Sequence, residues 1–309
     1  MFDAAPTDAC VPLQQSVAFM RALRLMKVDV RKLSLGHDAV LGQAVMQFRQ
    51  FPVIGTLGMI SRGPIWRGAS DVNALADHLA GFRHPVLVNS EDVPAHDMGD
   101  AGFLSLMSET TISRLHLDGE LRPRMHQKWR NRLRKAEQCG LQVIRREFPP
   151  DPGHWLLQAE MKQRQVRRYR GLPTAFAVAF TKANRGGALL FVARQRCEPV
   201  AGLLILRHGR MATYHIGHTF KAGRTLNAHT LLIARAAEYL ASSGTEILDL
   251  GTVDTVNAPG LARFKLGTGA QAYQLGGTWL YSRRIAPVAR ALQVQVPSAA
   301  ARISRIFAP

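Results

Sequence analysis

Acidic residues are scarce in this sequence. Its 309 residues include 22 Asp and Glu against 40 Lys and Arg, which gives a formal net charge of +18 at neutral pH. A surplus of positive charge of this size indicates an anionic partner, which could be nucleic acid, an acidic membrane surface or a phosphorylated substrate. The alternative explanation is a general arginine bias or an effect of charge on solubility, with no specific partner.

Cysteine is rare as well. Cys10, Cys139 and Cys197 are too few and too widely spaced for a disulfide framework, and none of them falls in a paired metal-ligand spacing. We therefore predict a reducing compartment and no metal site.

Long hydrophobic runs are missing from the sequence. No stretch approaches the roughly twenty apolar residues that span a bilayer. The first residues, MFDAAPTDACVPL, carry acids where a signal peptide carries bases. The prediction is a cytoplasmic protein, with peripheral contact at the inner face of the membrane left open. The amphipathic tail, residues 285–307, could lie on an anionic membrane or pack on the N-terminal domain.

The same order of predicted elements occurs twice along the chain. A helix, a three-stranded meander, a helix and a strand follow one another at about 13–118 and again at about 155–282. This order predicts a mixed α/β (α+β) protein with two similar domains, each a mostly antiparallel mixed sheet flanked by helices. The predicted bounds are 1–120 and 141–282, joined by a basic connecting helix at 121–140; the tail 283–309 could pack on the first domain.

The stretch 246–269, EILDLGTVDTVNAPGLARFKLGTG, concentrates candidate chemistry. An apolar run from Ile247 predicts a buried strand that ends at Gly251 in a polar loop. A short helical turn after the loop carries Arg263 and Lys265. Two cations beside a strand end could hold a phosphate or a developing oxyanion. The alternative is a solvated basic turn whose aromatic residue fills the core.

The densest basic run is RPRMHQKWRNRLRKAEQCG at 122–140. Seven Arg or Lys residues share a predicted helix with Trp129, Leu133 and Ala136 at helical spacing. Such a run is either a solvated face or an anion-binding surface.

Three motifs together resemble the Fem-type branch of the GNAT acyltransferase superfamily. RGPIW at 62–66 is similar to the RGPvW segment that follows the N-terminal meander in that family. WRNRLRKAE at 129–137, followed by GL, is similar to the join between its domains. LDLG at 248–251, followed by GLARFKLG at 260–267, is close to the pattern DxxG then GLxxFKxGFG. The motifs occur in the family's order, and the resemblance covers nearly the whole chain.

The resemblance implies two fused GNAT folds that transfer an acyl or aminoacyl group from a carrier to an amine. The carrier would be acyl-CoA or aminoacyl-tRNA, and no metal is implied. Only Gly223-Arg224 hints at the acetyl-CoA signature of single-domain members, and Thr268 stands where the family has Phe, so the donor stays open. The expected acceptor is an anionic small molecule or a cell-envelope or sugar-phosphate precursor. The alternative is a non-catalytic basic module that binds RNA or membrane, and the oligomeric state is left open.

Catalytic roles follow from the resemblance and from the strand pattern. The resemblance places a functional lysine at Lys265, where it would stabilise negative charge, unless it serves a structural salt bridge to Asp249 or Asp254. Tyr214 lies where the family has an aromatic residue lining the acceptor cleft. Asp249, with Asp254 as its rival, is a candidate base at the end of the central strand.

Substrate-binding candidates complete the set. Arg167 occupies roughly the family's phosphate-binding position. The alternatives Arg164, Arg168 and Arg170 lie beside it. His215 or His218 could accept a proton near neutral pH. Strand alternation puts Tyr214 and His215 on opposite faces, and either could face the cleft. Arg263 is a further candidate ligand. Arg62 and Trp66 could bind substrate or staple their own loop.

Overall fold

The computed structural model describes residues 10–36, 41–53, 55–169 and 171–294. After a 3-10 turn at Leu13–Gln15, the helices are α1 (Val17–Leu25), α2 (Val72–Ala80), α3 (Ala95–Asp100), α4 (Leu121–Arg124), α5 (Gln127–Gln138), α6 (Trp155–Arg167), α7 (Thr174–Ala183), α8 (Lys221–Thr225), α9 (Ala228–Ser242), α10 (Pro259–Gly267) and α11 (Ala286–Val294). The strands are β1 (Val30–Leu35), β2 (Gly42–Phe51), β3 (Gly55–Ser61), β4 (Ile65–Trp66), β5 (Val86–Asn89), β6 (Leu104–Met107), β7 (Thr111–His116), β8 (Gln142–Glu147), β9 (Ala188–Gln195), β10 (Glu198–His208), β11 (Met211–Thr219), β12 (Ile247–Thr252), β13 (Gln271–Gln274) and β14 (Thr278–Tyr281).

These elements form two compact units that are discontinuous in sequence. Unit 1 takes the chain up to Val28 together with Thr111–Gln274, and unit 2 takes Asp29–Thr110 together with the chain from Leu275. The units therefore differ from the bounds predicted from the sequence. The reason is strand pairing: β7 pairs with β12 and β13 in unit 1, whereas β14 pairs with β5 and β6 in unit 2.

Unit 2 is built on a mixed sheet in the order β1-β2-β3-β5-β14-β6, with β4 added beside β2. Its pairs are antiparallel except β3 with β5. Helix α2 begins at Asp71, whose carboxylate accepts from the Ala74 amide, and it buries Leu75 and Leu79. Helix α11 contacts α3, and Arg290 donates to the Ala101 carbonyl at 3.1 Å. The rest of the predicted tail, residues 295–309, lies outside the described residues.

Unit 1 is built on a sheet in the order β13-β7-β12-β11-β10-β9-β8. Every pair is antiparallel except β11 with β12. Helices α5 and α9 bury apolar stripes on this sheet, and those of α9 include Leu232, Ala236 and Leu240. The predicted mixed α/β class, with two mixed sheets flanked by helices, is confirmed.

Strands β11 and β12 diverge partway along their length. Their parallel pairing covers only Met211–Thr213 against Ile247–Asp249, although β11 continues to Thr219 and β12 to Thr252. Beyond these residues the two strands no longer pair with each other. We call this part, residues 214–219 of β11 and 250–252 of β12, the strand fork. Such a gap in a sheet leaves backbone groups that a ligand can reach.

A β-bulge lies at the start of the strand fork. Leu204 of β10 pairs with Ile216, but its neighbour Ile205 pairs with Tyr214. His215 is therefore the extra residue, and the strand changes direction there.

Candidate active site

Lys265 lies beside the end of β12, as its motif predicts. Its Nζ donates to the Thr252 carbonyl at 2.7 Å, and a Cβ built on Gly251 would lie 3.7 Å from that nitrogen. Gly251 has a φ of 77°, a conformation that favours glycine. Burial lowers the pKa of Lys265 to about 8, against an opposing effect of the Asp249 carboxylate. The amino group is therefore mostly protonated at pH 7 and loses its proton as the pH rises through about 8.

Asp249 lies on the same strand and is 1% exposed. Its Oδ1 accepts from the Gly251 amide at 2.7 Å, so this oxygen holds the turn at the strand end. The rival candidate Asp254 is half-buried and accepts from the backbone and side chain of Asn257 and from the Val256 amide. These bonds, those of Asn257 first, lower the pKa of Asp254. Both carboxylates stabilise turns.

Tyr214 and His229 form a hydrogen-bonded pair in the strand fork. The Tyr214 hydroxyl lies 3.1 Å from His229 Nε2, and the two rings meet edge to face with centroids 5.8 Å apart. The other side of His229 contacts Phe264, the residue before Lys265, at a centroid distance of 5.7 Å. The predicted tyrosine and the predicted lysine are thus connected through His229 and Phe264.

Gly217 gives the Tyr214–His229 pair its space. A Cβ at this position would overlap the Tyr214 hydroxyl and lie 2.7 Å from His229 Cε1. Strict alternation along β11 would put Gly217 on the face opposite Tyr214, but the structure departs from alternation here. The bulge at His215 inserts one residue, so Tyr214 and Gly217 point to the same side.

His215 points to another part of unit 1. Its ring meets Phe176 of α7 edge to face at 5.8 Å, and burial together with the Arg164 charge lowers its pKa to about 4. Burial also lowers the pKa of His229 to about 4, with a smaller effect from His218. Both imidazoles are therefore neutral at pH 7, which makes them weak proton acceptors.

The arginine candidates of α6 separate into two environments. Arg164 donates to Glu160 Oε1 through Nε and Nη2 at 2.9 and 2.7 Å, and to the Leu172 carbonyl at 2.9 Å. The exposed side chain of Arg167 has no recorded partner among the described residues. Burial lowers the pKa of His218, and the charges of Arg224 and Arg167 lower it further. Arg167 thus remains available to an anion; Arg168 is exposed in the left-handed region, and Arg170 lies outside the described residues.

The remaining three candidates have partners within their own units. Arg263 is exposed on α10 and donates to the Pro259 carbonyl at 3.2 Å. In unit 2, Arg62 makes a bidentate pair with the buried Glu91, at 2.8 and 2.9 Å. Trp66, also in unit 2, packs on β2, where a Cβ on Gly42 would lie 2.6 Å from its ring. Arg62 and Trp66 therefore connect the loop after β3 to other segments of unit 2.

The basic run at 122–140 is only partly engaged by the protein. Arg122 pairs with Glu137, Arg124 donates to the His116 carbonyl at 2.6 Å, and Arg130 donates to the Met125 carbonyl at 2.7 Å. Four exposed cations of α5 have no recorded side-chain partner among the described residues: Lys128, Arg132, Arg134 and Lys135. On the opposite side of the helix, Trp129 packs on Gly267 at the end of α10. This contact fixes the position of the helix that carries Lys265.

Sequence reasoning missed His229 and Gly217. Neither lies in one of the three motifs, and a histidine in the first turn of a helix has no distinctive spacing. Among the described residues, no three His, Cys, Asp or Glu side chains are grouped as metal ligands would be. In the same part of the chain, no helix is both long enough and apolar enough to cross a bilayer.

Comparison with known families defines the class of protein. Residues 123–275, which contain the strand fork, α9 and α10, match a family model described as an acetyltransferase (GNAT) domain. The chain is therefore an acyltransferase, and the class of its reaction is acyl transfer.

Solved structures define the fold more closely. A crystal structure of FemX superposes with a TM-score of 0.71 at 17% identity, over 91% of this chain and 94% of its own. The C-terminal DUF2156 domain of a candidate lysylphosphatidylglycerol synthetase from Agrobacterium fabrum gives 0.58 at 13% identity, over 92% of each chain. A tandem GNAT protein from the clavulanic acid biosynthesis pathway gives 0.51 at 14% identity, over 82% of this chain and 83% of its own.

Residues 123–275 form a GNAT acetyltransferase domain, and the resemblance to the Fem-type branch drawn from the three motifs is confirmed. The comparison with curated protein sequences gave no match.

Proposed function

We propose that this protein transfers an acyl or aminoacyl group from a carrier to an amine, with the reaction in the strand fork. The observation that carries the proposal is the amino group of Lys265, held at the end of β12 where β11 and β12 diverge. An ammonium at this point can stabilise the negative charge that develops on the acyl oxygen. Direct transfer also needs the amine and the carbonyl to be aligned, and this alignment supplies much of the rate.

The proposed step is a direct attack on the acyl carbon. The neutral amine nitrogen forms the new bond, and the carbonyl oxygen becomes an oxyanion that Lys265 stabilises. The bond to the carrier then breaks, its electron pair stays on the carrier sulfur or oxygen, and the amine loses one proton. His215 and His229 take up a second proton and become positively charged only below about pH 4. The amine proton therefore passes to solvent in this proposal, because these imidazoles are poorly matched to accept it at pH 7.

The proposed acceptor carries negative charge. Arg167 and Arg224 are exposed, and both act electrostatically on His218, so they present positive charge on the same side of unit 1. A cell-envelope or sugar-phosphate precursor with an amine would provide the matching anion. The proposed donors are acyl-CoA and aminoacyl-tRNA; the net charge of +18 favours a polyphosphate carrier.

Separate titrations should identify the donor. We expect heat of binding with either acetyl-CoA or alanyl-tRNA in isothermal titration calorimetry. Incubation of the binding donor, labelled in its acyl group, with glucosamine phosphate should then give a labelled amide. Uncharged tRNA and free coenzyme A serve as controls for binding without an acyl group. The absence of binding and transfer with both donors would contradict the proposal.

The second candidate function is binding of RNA or an anionic membrane through α5, in addition to acyl transfer. The four exposed cations of α5 favour it, because their side chains have no partner in the part of the chain that the structure describes. RNA or membrane binding would depend on the cations of α5, whereas acyl transfer would depend on Lys265. Variants of α5 therefore separate the two functions.

Neutralising α5 tests this alternative. The triple variant Lys128→Gln, Arg132→Gln, Lys135→Gln should weaken tRNA binding in a filter assay if RNA lies along the helix. Removing three phosphate contacts should reduce the slope of log K against log salt by about 2–3 units. A matched variant with Arg21→Gln, Arg24→Gln and Lys27→Gln, on and just after α1, removes the same charge elsewhere. Equal losses in both variants would indicate unspecific attraction by net charge.

A further inference from the structure

His229 is held from three sides in the strand fork. Its Nε2 lies 3.1 Å from the Tyr214 hydroxyl, Phe264 packs on the ring at 5.7 Å, and Gly217 leaves space at Cε1. The contacts come from β11 and α10, while His229 itself lies in the first turn of α9. A ring anchored on α9 and packed against two further elements has little freedom to rotate.

The two ring nitrogens of His229 have different surroundings. Nε2 faces Tyr214, whereas Nδ1 is buried and has no hydrogen-bond partner among the described residues. Burial holds the pKa at about 4, so at pH 7 the neutral ring carries a single N–H. A proton on Nδ1 would be a buried donor with no acceptor among the described residues, which is unfavourable. A proton on Nε2 finds the tyrosine oxygen and leaves only a lone pair at Nδ1.

We infer that His229 is a positioning residue for Tyr214: its Nε2–H donates to the phenol oxygen, and the Tyr214 O–H is left free to donate outward. The direction of this hydrogen bond is the new element. If Nε2 were the acceptor, the hydroxyl hydrogen of Tyr214 would be occupied by the imidazole and unable to reach a substrate.

The free O–H gives Tyr214 a defined role, and this part rests on the proposed function. Burial raises the pKa of Tyr214, with Tyr169 as a second cause, so the hydroxyl keeps its hydrogen at neutral pH. The hydroxyl therefore donates a hydrogen bond to the acyl oxygen or to the carrier atom that leaves. Lys265 supplies a positive charge, and Tyr214 supplies a hydrogen bond of fixed direction.

The tautomer can be measured without any substrate. Protein labelled with ¹⁵N-histidine should show the Nε2–H pattern for His229 in two-bond ¹H–¹⁵N correlation spectra at pH 7. The signal is assigned by its loss in His229→Gln. An Nδ1–H pattern, or a fast average of the two tautomers, would overturn the inference, and this result is independent of whether acyl transfer takes place in the strand fork.

A double-mutant cycle tests the positioning role, with transfer from acetyl-CoA or alanyl-tRNA as the activity. His229→Leu should lower kcat about tenfold at an unchanged KM, because one neutral hydrogen bond is lost. His229→Gln should recover most of that loss, since its amide N–H can donate. Tyr214→Phe combined with His229→Leu should be no slower than Tyr214→Phe alone. Independent, multiplying losses would contradict action through Tyr214, and circular dichroism checks that each variant is folded.

Discussion

Replacing Lys265 by Met should lower kcat about 10²–10³-fold, the range seen when one group that stabilises an oxyanion is removed. Met keeps much of the length and apolar body of the side chain but removes the charge beside the end of β12. Substrate binding should change much less, because the ammonium acts on charge that develops only in the transition state. Steady-state kinetics with the donor found by calorimetry would measure both constants.

The pH profile gives the same prediction a second readout. The pKa of Lys265 is lowered to about 8. The amino group is therefore fully protonated well below pH 8 and loses its positive charge as the pH rises through that value. The kcat of the native enzyme should therefore fall on the alkaline side with an apparent pKa near this value, and the Met variant should lack this limb. Lys182→Met, on the exposed face of α7, is the control for loss of a lysine charge. A Met variant with native kcat would exclude Lys265 from catalysis.

Replacing Trp129 by Ala should lower the free energy of unfolding by about 3–5 kcal/mol, the usual cost of truncating a buried tryptophan. Trp129 is 3% exposed, its ring lies 6.1 Å from that of Phe264, and it packs on Gly267. Truncation leaves a cavity under α10, which carries Lys265. Activity should therefore fall even under conditions where the variant remains folded. Chemical denaturation followed by circular dichroism, together with kcat, measures the two effects.

Two further variants separate packing at α10 from stability in general. Trp129→Phe should cost much less than Ala, because it keeps a ring and removes an indole N–H that has no partner among the described residues. Trp279→Ala truncates an equally buried tryptophan of unit 2. Its loss of stability should be similar while Lys265 keeps its environment. If Trp129→Ala retained native kcat per folded molecule, the packing of Trp129 would have no part in positioning α10.

Much of the fold could be read from periodicity. The alternating apolar pattern predicted the meander of β9, β10 and β11, and the 3.6-residue pattern predicted α5 and α9. The short elements α3 and β6 were not predicted, since a few residues carry little periodic signal. The division into units was also outside the reach of the sequence, because it depends on pairing between strands as distant as β5 and β14.

The positions of candidate site residues could be predicted only where the residues lie in one sequence motif. Lys265 was placed correctly beside the end of β12, because a strand, a glycine turn and a short helix are all local features. The surroundings of Arg62 could not be predicted: its partner Glu91 lies 29 residues away. The same holds for Tyr214 and His229, which a single bulge in β11 allows to meet.

The sequence by itself determined the order of the longer helices and strands, the net positive charge and the position of Lys265 beside a strand end, because each depends on neighbouring residues. The tertiary structure alone decided which strands diverge, which face Gly217 occupies and which histidine meets Tyr214. The physical reason is that strand register and burial are set by contacts between distant segments. One inserted residue at His215 changes the direction of every side chain after it, and composition carries no record of that change.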